Sequence, residues 1–160
     1  MAKNIKTNAM RILDKAKIEY TPIEYTVDEN DLSGVTIAKS VGLDCAMVFK
    51  TLVAKGDKTG PLVMCIPVDK EIDLKKAASA TGNKKVEMVH VKALLNLTGY
   101  IRGGCSPVGM KKKFPTFFCE SAQNHDKITV SAGIKGCQLL VGRAALTEYL
   151  DAKLCDLCNI

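Results

Sequence analysis

Val48-Phe49-Lys50-Thr51-Leu52-Val53-Ala54 and Leu62-Val63-Met64-Cys65-Ile66-Pro67-Val68 flank the turn Gly56-Asp57-Lys58-Thr59-Gly60. Two apolar runs of strand length around a glycine-bounded polar turn predict a β-hairpin. Within the first run, Lys50 is the exception. Alternation puts it on the same face as Val48 and Leu52, an unexpected setting for a solvated cation. It is read either as reaching water or as projecting into a pocket, where an ammonium can hold a phosphate or polarise an ester carbonyl.

Outward from the hairpin, helical and extended segments do not alternate strictly. Towards the N-terminus, Ile5, Ala9, Ile12, Leu13 and Ala16 fall on one helical face, predicting a helix near 4–17 with Asn4 as N-cap. Tyr20–Val27 predicts a strand, which Pro22 assigns to an edge or a strand start. A second helix is predicted near 34–41, stopped by Gly42. Towards the C-terminus, Asp73 caps a helix carrying Leu74, Ala77 and Ala78 and closed by Gly82. Val91, Leu94 and Leu95 predict a short helix closed by Gly99. Short strands are expected at Thr116–Cys119, Ile128–Ser131 and Cys137–Val141, and a last helix around Leu146, Tyr149 and Leu150. This order predicts one α+β domain over 1–160, with a mixed sheet wrapped by helices rather than a doubly wound parallel sheet.

The chain has 160 residues, 47% of them apolar and 5% aromatic, so it is large enough to form a core, and that core must be aliphatic. Its net charge of +6 arises from 23 basic and 17 acidic residues, compatible with a solvated basic surface or a polyanion-binding face. Met1–Met10 is polar and basic, without the apolar segment of a signal peptide. No apolar run reaches the roughly 20 residues needed to cross a bilayer. The seven cysteines, an odd number, are therefore expected as free thiols in a reducing cytoplasm.

Gly99-Tyr100-Ile101-Arg102-Gly103-Gly104-Cys105-Ser106-Pro107-Val108-Gly109 is the most informative segment for chemistry. Paired glycines let backbone N–H groups approach a ligand without Cβ obstruction, and successive N–H groups can form an anion- or carbonyl-binding nest. The alternative is an ordinary tight turn. Neither a P-loop nor a dinucleotide fingerprint is present there. Lys111-Lys112-Lys113 follows directly, either as a solvated turn or as a contact for nucleic-acid phosphates. Nothing in the spacing pairs Cys105 with His90 or His125 as a nucleophile and base. Cys155-Asp156-Leu157-Cys158 has metal-like spacing but no second Cys/His pair at a suitable distance. No metal and no cofactor are expected.

Gly99–Lys112 (GYIRGGCSPVGMKK) resembles the signature loop of the YbaK/EbsC deacylases. Thr7–Leu13 (TNAMRIL), Val48–Val53 (VFKTLV), Leu74–Ala78 (LKKAA), Lys84–Met88 (KKVEM) and Asp126–Gly133 (DKITVSAG) resemble that family's other segments in the same order. Leu139–Ala145 (LLVGRAA) departs from it, lacking the proline usual before the last helix. The resemblance implies a mostly antiparallel, barrel-like sheet surrounded by helices, as in the editing insertion of prolyl-tRNA synthetases. It implies removal of cysteine from mischarged Cys-tRNA(Pro), and less selectively from Cys-tRNA(Cys), with prolyl-tRNA synthetase as a candidate partner and no membrane association. By the same resemblance Lys50 is the essential lysine, and Gly103 and Gly104 present backbone N–H groups to the aminoacyl carbonyl. Tyr25, Ser106, Ser131 and Lys135 line the substrate pocket, and Lys111, Lys112 and Lys113 meet the tRNA. The substrate's own thiol is expected to attack its ester, with the protein orienting the reactants. A non-catalytic tRNA- or nucleotide-binding module, or a partner of a synthetase, is the rival reading; oligomeric state stays open.

Overall fold

The computed structural model describes residues 6–31 and 33–159. Asn4, expected as a helix cap, lies outside them. The first helix, α1 (Asn8–Lys15), begins later than the apolar pattern predicts, because Thr7 Oγ1 accepts the Met10 N–H and takes the capping role. It ends just before Lys17, whose φ of 61° turns the chain out of the helix. Strand β1 (Tyr20–Glu24) follows, then α2 (Gly34–Val41), whose N-terminus is held by Ser33 Oγ.

The hairpin forms as β2 (Phe49–Gly56) and β3 (Gly60–Pro67), paired antiparallel from Phe49 opposite Pro67 to Gly56 opposite Gly60. Its turn is anchored from outside. Asn83 Oδ1 accepts the N–H groups of Lys58 and Thr59, and Asp57 Oδ1 accepts those of Lys84 and Lys85. These bonds draw in the chain after α3 (Leu74–Thr81), so that β4 (Val86–Met88) pairs with the end of β2. Asp73 caps α3 through two backbone N–H groups, as expected.

Helix α4 (Val91–Thr98) leads into the glycine-rich loop, and β5 (Thr116–Cys119) leaves it to run parallel to β3. The last elements are β6 (Lys127–Ser131), β7 (Cys137–Gly142), α5 (Arg143–Tyr149) and β8 (Lys153–Cys155). Two sheets result. One has the order β1-β7-β6 and is antiparallel, with the Pro22-containing strand on its edge. The other has the order β4-β2-β3-β5-β8, with parallel pairing of β5 to both its neighbours.

The mixed α+β domain is thus as expected, but the barrel-like closure is not: neither sheet closes on itself. The physical reason lies in the edges. β1 and β6 bound one sheet and β4 and β8 the other, and among the described residues a parallel bridge between Val48 and Thr129 links the two. Aliphatic side chains from both sheets, with Phe49 and Phe118 at 5.9 Å between ring centres, fill one shared core. Among the described residues, no helix is long and apolar enough to cross a membrane.

Candidate functional site

The glycine loop starts where α4 stops. Gly99, at φ 89°, takes the left-handed C-terminal position that a side chain would strain. Tyr100 then secures the rest of the loop. Its hydroxyl donates to the Val108 carbonyl, and its ring lies over Gly133, where an added Cβ would come within 3.0 Å of Tyr100 Cε1. Burial pushes the Tyr100 phenol up to about 12, so it stays a donor through the neutral range. Tyr100 therefore ties both ends of its own loop to the turn between β6 and β7.

Gly103 and Gly104 pack against that same turn. Gly103 has φ 91°, and a Cβ there would stand 3.2 Å from Lys135 Cε; at Gly104 a Cβ would meet the Ile134 backbone at 3.2 Å. A side chain is strained at the positive φ of Gly103 and crowds the Ile134 backbone at Gly104. The two N–H groups are not equivalent, because Gly104 N–H already donates to the Ile101 carbonyl at 3.0 Å.

A small cavity opens beside Gly103. Tyr25, Asp28, Asp31, Thr36, Gly103 and Lys135 line it, so three of the expected site residues converge there. The stem of Lys135 lies across Gly103 while its ammonium pairs with Glu29 Oε1 at 3.2 Å, bridging the turn to the segment between β1 and α2. Asp31 is held below the usual carboxylate range, first by the Thr36 hydroxyl and then by Ser33. The cavity adjoins a broader groove that shares Tyr25 and Lys135.

The other expected residues are not in the lining of this cavity. Ser106 is fully buried, and its Oγ accepts the Val108 N–H, shaping the loop. Ser131, at the end of β6, accepts the Gly133 N–H at 3.1 Å. Lys50 is half-buried on β2, opposite Ile66, and its charge acts on the Cys158 thiol. Val48 bridges Thr129 in parallel register, so Lys50 and Ser131 are the next residues on that face of their strands. Lys112 and Lys113 border a separate groove with Ile12 and Tyr149, and Lys111 Nζ reaches the Asn96 carbonyl at 3.5 Å.

Cys105 is a poor nucleophile here, since burial pushes its thiol up to about 11. Sequence reasoning missed Tyr100 and the acidic stretch Asp28–Asp31. The available signals were an aromatic shortly before the paired glycines and a run of cap-forming carboxylates before Ser33.

Residues 33–149 match the model of the aminoacyl-tRNA editing domain. A curated Enterococcus faecalis protein, EbsC, provisionally named a Cys-tRNA(Pro)/Cys-tRNA(Cys) deacylase, is 48% identical over 152 residues, spanning 95% of this chain and 93% of its own. Two solved structures share the fold. One, provisionally described as a trans-editing enzyme for prolyl tRNA synthetase, has a TM-score of 0.81 at 20% identity, covering 98% of this chain and all of its own. The other, the hypothetical protein APE2540, has a TM-score of 0.83 at 18% identity, covering 93% and 97%.

Proposed function

The chain belongs to the aminoacyl-tRNA editing domain family, and from that membership we propose that it is a free-standing deacylase that clears cysteine from Cys-tRNA(Pro). The observation that carries the reading is near full-length similarity to EbsC, joined to a cavity where the bare backbone of Gly103 faces Tyr25. Cys-tRNA(Cys) is a secondary substrate, as the name of that relative suggests.

The reaction needs no nucleophile from the protein. The cysteinyl sulfur attacks the ester carbonyl carbon of its own residue, the bond to the terminal ribose oxygen breaks, and the thiol proton passes to that oxygen. The products are the free tRNA and a four-membered cysteine thiolactone. The protein contributes orientation and stabilisation of the developing oxyanion. Gly103 N–H is the backbone donor for that oxygen, since Gly104 N–H is already committed within the loop. Lys50 supplies the cation that holds the terminal adenosine and its phosphate. Tyr25 and Lys135, which line the cavity, border the aminoacyl group, Ser131 shapes the turn through the Gly133 N–H, and Ser106 keeps the loop in shape. Lys111, Lys112 and Lys113 meet the tRNA backbone. Partial burial, which pushes the Cys105 thiol up to about 11, supports a mechanism in which no enzyme thiol is acylated.

The test compares the wild type with Lys50→Ala on Cys-tRNA(Pro). The expected outcome is loss of release by about two orders of magnitude or more, the scale on which one preorganised electrostatic contact acts, with an unchanged circular dichroism spectrum. Equal rates for the two proteins overturn the role given to Lys50.

A further inference from the structure

We propose that Glu29 is a positioning residue for the deacylation, which holds the Lys135 ammonium out of the cavity and so keeps the space beside Gly103 open for the aminoacyl group. Its role rests on the deacylase reading. The Lys135 backbone has little freedom. The next residue, Gly136, accepts the Tyr25 N–H on its carbonyl at 2.9 Å and has φ 91°, and a Cβ there would stand 3.3 Å from Val27 Cγ2. The stem is placed as well, since Lys135 Cε, Cγ and Cδ would lie 3.2, 3.4 and 3.7 Å from a Gly103 Cβ. What stays adjustable is the ammonium, a point charge at the end of a flexible chain.

Several carboxylates compete for that charge. Asp28 and Asp31 line the cavity together with Lys135, and Glu24 borders the broader groove that Lys135 also reaches. Glu29 is in neither lining, yet it is the residue that takes the ammonium, at 3.2 Å from Oε1. The Glu29 side chain is 69% exposed against 28% for Lys135, so the pair draws the lysine head outward. Inside the cavity, Asp31 accepts the Thr36 hydroxyl at 2.6 Å and the Ser33 N–H at 3.1 Å, and Asp28 accepts the Asn30 N–H at 2.9 Å. Neither forms an ion pair among the described residues. A carboxylate offers about four acceptor positions, so both retain room for an ammonium.

Neutralising Glu29 therefore leaves the lysine head to the carboxylates of the cavity lining. The cavity holds about 280 Å³ of empty space, and an ammonium with its terminal methylenes takes up part of what a cysteinyl group needs. An exposed ion pair adds little to stability, so the loss of Glu29 is felt in substrate binding rather than in folding.

The test measures KM and kcat for cysteine release from Cys-tRNA(Pro) with the wild type, Glu29→Gln, Lys135→Met and the double variant, and compares crystal structures of the wild type and Glu29→Gln. Glu29→Gln is expected to raise KM by about fivefold with kcat changed by less than about twofold, the pattern of weakened binding without altered chemistry. Its crystal structure is expected to show Lys135 Nζ on Asp28 or Asp31. Adding Lys135→Met to Glu29→Gln removes the ammonium and is expected to lower KM again. If the pair only braces the loops, the double variant binds no better than Glu29→Gln. That result, a wild-type KM in Glu29→Gln, or Lys135 Nζ lying in solvent or on Glu24 overturns the proposal. The crystallographic comparison involves no tRNA, so it decides where Glu29 holds the ammonium even if the wild type releases no cysteine, an outcome that sinks the deacylase reading instead.

Discussion

At the scale of single residues, Gly103 is a loop position that does not readily accept a side chain. Its φ of 91° and the 3.2 Å separation between an added Cβ and the Lys135 stem mean that a methyl group both strains the backbone and displaces the side chain that covers it. Gly103→Ala is expected to cost about 1–2 kcal/mol of stability in denaturant titration, the penalty of a left-handed conformation for an L-residue. It is expected to cost at least about tenfold in deacylation, because small displacements of an orienting group are amplified in rate. A variant that loses stability alone, with its rate intact, removes the loop from the chemistry. Tyr100 acts together with Gly103, since its hydroxyl holds the loop through the Val108 carbonyl. Its place shortly before the paired glycines hints at it, but its role was not legible, because the hydrogen bond is made eight positions along the chain after an irregular path.

At the scale of elements, the hairpin shows how side chains outside a turn decide its register. Asn83 is 8% exposed and commits its amide to Lys58 N–H, Thr59 N–H, Thr59 Oγ1 and Thr81 Oγ1. Asn83→Ala leaves two turn N–H groups without their acceptor and is expected to lower the unfolding free energy by about 2–3 kcal/mol, measured by urea titration. A change below half of that places the anchor elsewhere. The hairpin itself and α2 over 34–41 were legible in the sequence, because apolar period and turn chemistry act locally there. Strands β4 and β8, of three residues each, were not, since three residues carry no period and their existence rests on pairing with distant strands. The site divides in the same way. The glycine pair could be read as an approach to a ligand, whereas the position of Tyr25 and Lys135 beside it came from likeness to a family. Asp28 and Asp31 carried no reading in the sequence, and it is the fold that brings them to the cavity lined by Gly103.

At the scale of the whole molecule, two open sheets are linked by the Val48–Thr129 bridge, and the loops gathered on the three-stranded side leave a cavity next to a broad groove. The +6 net charge then matters for encounter with tRNA rather than for folding. Replacing Lys111, Lys112 and Lys113 together by alanine is expected to weaken tRNA binding and to reduce the slope of log affinity against log salt by up to about 3, roughly one unit for each phosphate no longer neutralised. A salt dependence unchanged by the triple substitution moves the tRNA footprint off this run. In the proposed reaction the protein positions a substrate that then displaces itself, and one atom of the substrate tests it. The purified protein is given the same tRNA(Pro) charged with cysteine or with serine, and the two release rates are compared at neutral pH. Cysteine is expected to leave at least about tenfold faster, because a thiol supplies far more of its nucleophilic anion than a hydroxyl does. Equal release of both amino acids contradicts self-displacement, since water would then be the attacking group and the substrate's sulfur a bystander.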